Sequence, residues 1–133
     1  MNNVMKKIMH HLDYLLSCRE ISWEITQLGV DQIDEINRML DNRERLVNIV
    51  SKLQLETESM IEDLSGSDLG PENVQIIKSW HSDTHTIVSS IIELDDKINQ
   101  TLEAQKKNVA NEIRATFENV EKFKGYNLQT LRK

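Results

Sequence analysis

Histidine, cysteine and carboxylate are the side chains of this 133-residue sequence that could do chemistry, so their spacing comes first. His81 and His85 stand four apart and share one face of a helix, a spacing that could offer two ligands to zinc or nickel. A helical metalloprotease also needs Glu directly after the first His, and Ser82 occupies that place. A di-iron bundle needs Glu three residues before His, twice. The residues at that offset from the four histidines are Lys7, Ile8, Lys78 and Ser82. His10 and His11 are adjacent, about 100° apart on a helix, and make a poor chelate. Cys18 is the one cysteine, so it can form neither an internal disulfide nor a cysteine metal cluster, and it fits a reducing cytoplasm. There is no glycine-rich phosphate loop and no recognisable Ser-His-Asp arrangement. The chemistry-bearing residues therefore read as polar helix faces of a non-enzyme, with no metal and no cofactor expected.

The elements that would position any site are helices. Four Gly and one Pro cannot supply the turns that a fold of many short strands needs every ~8–12 residues. No apolar run approaches the ~18 residues of a membrane span, and MNNVMKKIMHHLDYLL lacks the unbroken apolar core and cleavage site of a signal peptide. Gly29, the stretch Ser65–Pro71 and Gly125 divide the chain into three amphipathic blocks, expected as helices over about 3–28, 31–64 and 71–124, followed by a short basic tail, 127–133. The fold expected is a single all-α domain, 1–133: an antiparallel helical bundle or hairpin of three main helices.

The first block sets Val4, Ile8, Leu12, Leu15, Arg19, Ser22 or Trp23, and Thr26 on one stripe. In the second, Asp31 is the expected N-cap, and Met39, Leu46, Leu53 and Met60 recur every seven residues with Val50 between. In the third, Pro71 opens the helix, where its missing N–H costs nothing. Trp80, Thr84, Ile87, Ile91, Leu94 and Ile98 follow at spacings of four and three. The pattern then shifts by one residue through Leu102, Val109, Ile113, Phe117 and Val120. Unbroken, that block would be ~80 Å long, far longer than the other two. Either it projects beyond the bundle or it breaks at His81-Ser82-Asp83-Thr84, its weakest helix-forming stretch; the projecting helix is preferred. Trp80, Ile87, Ile91, Leu94, Ile98, Leu102, Val109 and Ile113 are then expected to line a groove for a partner helix, because the block holds more apolar flank than its companions can cover.

Charge is unevenly spread. Residues 1–65 carry 7 basic and 12 acidic groups, 66–105 carry 2 and 7, and 106–133 carry 7 and 3. An acidic body argues against nucleic acid as its partner.

The order of parts resembles the small flagellar export chaperones of the FliT type, and more loosely the FlgN type. The resemblance is carried by a first helix ending at Gly29, the segment Leu40-Asp41-Asn42-Arg43-Glu44-Arg45-Leu46-Val47, and the Gly70-Pro71 break. It continues in Ile91-Ile92-Glu93-Leu94-Asp95-Asp96-Lys97-Ile98 and in the ending Lys124-Gly125-Tyr126-Asn127. It implies a cytoplasmic chaperone that binds the C-terminal amphipathic helix of a filament-cap or hook–filament junction subunit. It also implies docking on the type III export gate and the export ATPase complex, with Tyr126 as a gate contact. The tail after Tyr126 departs from relatives that carry a regulatory C-terminal helix. The alternative expectation is a structural coiled-coil or helical-bundle homodimer, acting as a scaffold or adaptor without a secretion role.

Overall fold

The computed structural model describes residues 1–124, and their side chains apart from Phe117 and 119–124. Three helices follow one another: α1 (Asn2–Thr26), α2 (Ile33–Glu62) and α3 (Pro71–Lys124). Short 3₁₀ turns at Val30–Gln32 and Gly66–Leu69 join them, and Gly66 takes the left-handed φ of 63° that the second turn needs. The expected all-α architecture with a long last helix is the one observed. Asp31 is not the cap of α2. It sits inside the first 3₁₀ turn, which closes instead when the Gly29 N–H donates to the Gln32 side-chain carbonyl at 3.1 Å.

α1 is the shared strut. Its inward stripe is Val4, Ile8, His11, Leu15, Cys18, Ser22 and Ile25, all buried, at strict spacings of four and three. The expected stripe differed in that Leu12, Arg19 and Thr26 stood where His11, Cys18 and Ile25 belong. Of the pair Ser22 and Trp23, the serine points inward, its hydroxyl donating to the Cys18 carbonyl at 2.7 Å, and Trp23 is exposed. α2 runs back along α1 and buries Ile36, Val50 and Thr57, one helical seam seven residues apart in multiples. The expected heptad Met39, Leu46, Leu53 and Met60 flanks that seam half-buried. α3 then runs parallel to α1 and buries Trp80, Ile87 and Ile98.

The interior is stacked in three apolar clusters. Val4, Ile8 and Trp80 form the first; Leu15, Cys18, Val50 and Ile87 the second; Ile25, Ile36 and Ile98 the third. Polar layers separate them. Between the first two, the Trp80 indole N–H donates to His11 Nδ1 at 2.9 Å. Between the last two, Arg43 of α2 donates to Ser22 of α1 at 3.1 Å and pairs with Asp95 of α3. Buried polar groups demand specific partners, so each layer fixes how far the helices can slide.

α3 does not break at 81–84. Trp80 and Ile87, just outside that stretch, are buried against α1 and α2, and this packing holds a locally weak sequence helical. At 54 residues it is ~81 Å long, against ~38 Å for the 25 residues of α1 and ~45 Å for the 30 of α2. Among the described side chains Leu102 and Gln105 are its last half-buried positions, and every side chain from Lys106 to Thr116 is exposed. The long helix projects.

Ile36 is 1 % exposed at the centre of the third cluster, so Ile36→Ala should lower the unfolding free energy by roughly 2–5 kcal/mol. Met9, 61 % exposed, should tolerate Ala within about 0.5 kcal/mol. Urea titration followed by circular dichroism measures both; equal losses would mean that Ile36 is not core.

Candidate functional site

Because α1 offers one narrow stripe to two neighbours, α2 and α3 each pack along it but not along one another. The space between them is a cleft of about 440 Å³. Leu15 and Cys18 of α1 form its floor. Val47, Val50, Ser51 and Gln54 form the α2 wall, and Val88, Ile91 and Ile92 the α3 wall. The Arg43–Asp95 ion pair bridges the two walls at one end. Val47, Val88 and Ile92 are 45, 38 and 56 % exposed, so both lips present apolar surface to solvent. Leu55, at 68 %, continues the α2 lip one turn on. This is the shape left when one helix is missing from a four-helix bundle.

The other two helix–helix furrows are lined differently. The α1–α3 furrow has Arg19 and Glu20 beside Leu16, Trp23 and Leu94. The α1–α2 furrow has Lys7, His10, Lys52 and Glu56 beside Tyr14 and Leu53. Lys7 and Glu56 pair across the latter, and the ammonium holds the Glu56 carboxyl below its usual range. Trp23 and Tyr14, 54 and 40 % exposed, are large aromatics at the surface, while Trp80 is core.

The groove expected from sequence is thus divided. Trp80, Ile87 and Ile98 are buried in the three clusters and cannot touch a partner in this conformation. Ile91, Leu94 and Leu102 are half-buried, with Ile91 on the cleft wall and Leu94 on the opposite, α1–α3 side. Val109 and Ile113 lie 40 and 52 % exposed on the projecting end of α3. The α2 wall and the positions Val88 and Ile92 were absent from the sequence expectation. An amphipathic pattern marks the side of α3 facing α1, and these residues stand one step round the helix from it. Tyr126 lies outside the described residues.

His11 was the other residue that periodicity passed over. It is fully buried, and burial pushes its pKa below the usual 6.5; Gln54 and Glu58 on α2 pull the opposite way. Accepting from Trp80 through Nδ1 fixes the neutral tautomer with its proton on Nε2, and that atom has no hydrogen-bond partner. Protonating His11 would set two N–H groups against each other and break the layer. Burial likewise raises the Cys18 thiol above its usual value against the opposing charge of Arg43, so this cysteine stays a thiol on the cleft floor. His81 and His85 are exposed, and His81 leans against the Trp80 ring with centroids 4.9 Å apart. Among the described residues no three His, Cys, Asp or Glu side chains converge as a metal site. No described helix is long and apolar enough to cross a membrane.

Compared with known proteins, the chain matches no family model, no curated protein and no solved structure.

A group whose folded pKa lies below its unfolded value of 6.5 binds fewer protons in the folded state, so stability rises with pH through that window and is lost as pH falls below about 6.5. His11 alone should contribute a slope of up to about 1.4 kcal/mol per pH unit there. Urea midpoints between pH 7 and pH 5 should therefore fall in the wild type and fall less in His11→Gln. Parallel curves would remove His11 as the cause.

Proposed function

We propose that the protein is a cytoplasmic export chaperone of the FliT type. It seats the C-terminal amphipathic helix of a flagellar filament-cap or hook–filament junction subunit in the α2–α3 cleft. The observation that carries this reading is the cleft itself: apolar on both lips and floored by core residues. An amphipathic helix laid there completes four-helix packing and hides the stripe it would otherwise use to assemble too early. The acidic body, net negative over residues 1–105, favours a client helix whose polar flanks are basic. The ordered motifs that resemble the FliT type supply the flagellar context.

Titration calorimetry with synthetic C-terminal helices of cap and junction subunits tests this. Val47 is an exposed lip residue, so Val47→Asp should leave the fold intact and weaken peptide binding by roughly 30-fold or more, the cost of setting a carboxylate against a buried apolar face. Absent binding, or equal affinity in both proteins, defeats the reading. For Tyr126, the resemblance leads to a separate outcome: Tyr126→Ala should keep client affinity while weakening capture by the export gate. Unchanged gate affinity would remove it from the docking surface.

A further inference from the structure

The layer that joins His11 to Trp80 reaches further than those two rings. Gln54 of α2 stands beside His11 and favours its charged form, yet makes no hydrogen bond to Nε2. Its side-chain N–H donates instead to Glu58 at 3.2 Å. A line of polar groups, Glu58, Gln54, His11 and Trp80, therefore crosses all three helices with the fully buried imidazole in its middle. Of the charged groups on these helices, Glu58 is the one whose field acts on the ring. On α1 itself Lys7, one turn before, is tied to Glu56, and on α3 the exposed His81 lies against the Trp80 indole. Two residues of this neighbourhood bear on the cleft: Gln54 is part of its α2 wall, and Val88, on the α3 wall, stands one turn beyond Thr84.

Trp80 also guards the weakest stretch of α3. His81-Ser82-Asp83-Thr84 follows it at once and is helical because Trp80 and Ile87 are packed on either side. The Thr84 hydroxyl is buried without a hydrogen-bond partner among the described residues, so opening this stretch to water restores a bond that the closed form lacks.

We propose that His11 is a proton-operated latch: on protonation it lets go of Trp80, frees the start of α3 about a hinge at His81–Thr84, and reshapes the cleft from both walls. A proton on Nδ1 sets ring and indole N–H to N–H, and the contact that fixed Trp80 becomes repulsive. The charged ring then takes the Gln54 carbonyl as its acceptor under the pull of Glu58, which draws Gln54 out of the α2 wall. The freed segment, Pro71 to Trp80, has the short Gly66–Leu69 turn at its other end, while the second and third clusters stay closed. Burial favours the neutral ring only while the latch is shut, so the latched form prevails above pH 6.5 and is lost as pH falls below it. Linkage runs both ways: a helix seated in the cleft makes His11 harder to protonate, and a proton on His11 weakens the seat. The effect on a guest helix rests on the chaperone reading, whereas the latch is a property of the protein alone.

Trp23→Phe leaves Trp80 as the one tryptophan. In that protein, lowering the pH from 7.5 to 5 should move Trp80 emission to longer wavelength. Amide hydrogen-exchange protection over residues 74–84 should fall about tenfold or more, while Ile25, Ile36 and Val50 keep theirs. His11→Asn, whose carbonyl can accept from Trp80 and does not titrate, should abolish both changes. Glu58→Gln, at a half-buried position, removes the charge that favours the imidazolium and should shift the midpoint to lower pH. Changes that persist in His11→Asn, an unmoved midpoint in Glu58→Gln, or protection lost from all three clusters together overturn the latch. A synthetic C-terminal helix of a cap subunit should bind the wild type up to about tenfold more weakly per pH unit below the midpoint, and bind His11→Asn evenly. Equal pH profiles in the two proteins overturn the link to the cleft. No binding at pH 7.5 defeats the chaperone reading instead, and the exchange data still decide the latch.

Discussion

One helix is asked to serve two neighbours. The buried stripe of α1 is a single seam of seven residues, and both α2 and α3 take their core contacts from it. In a three-helix bundle with a wide shared core each helix touches the other two. Here the seam is narrow and carries small or polar side chains, Cys18 and Ser22, where a larger group would push the partners into a ring. α2 and α3 therefore lean on the same edge from two sides. They meet each other through side chains, where Arg43 pairs with Asp95 and where residues of both helices share each of the three apolar clusters. The cleft is the geometric remainder of that sharing.

Polar layers explain why the arrangement does not slip. A seam of uniform leucine and isoleucine would let three amphipathic helices slide by a heptad at small cost. His11 with Trp80, and Ser22 with Arg43 and Asp95, each join residues far apart in sequence and leave buried polar groups unpaired in any shifted register. The first layer carries a cost of its own, since His11 is held neutral and one of its nitrogens lacks a partner. Specific placement of Trp80 is what that cost secures.

The helices were legible because breakers and periodicity agree: Gly29, the Gly66–Pro71 interval and the heptads of α2 place each element within a few residues of its observed bounds. Two local signals were outweighed. His81–Thr84 is a poor helical stretch, yet Trp80 and Ile87 anchor it at both ends. Asp31 is a good cap by type, yet the chain spends it in a 3₁₀ turn. The candidate site was less legible. Hydrophobicity picks Leu12 over His11, and counting on by three and four from Leu12 then lands on Arg19 instead of Cys18, although the four-and-three count from Val4, Ile8, Leu15 and Ile25 selects His11 and Cys18. On α3, periodicity shows that apolar stripes exist without showing which one a neighbour covers. That depends on where α2 sits, which is a tertiary fact. So Trp80, Ile87 and Ile98 are core, and Val88 and Ile92 stand at the cleft.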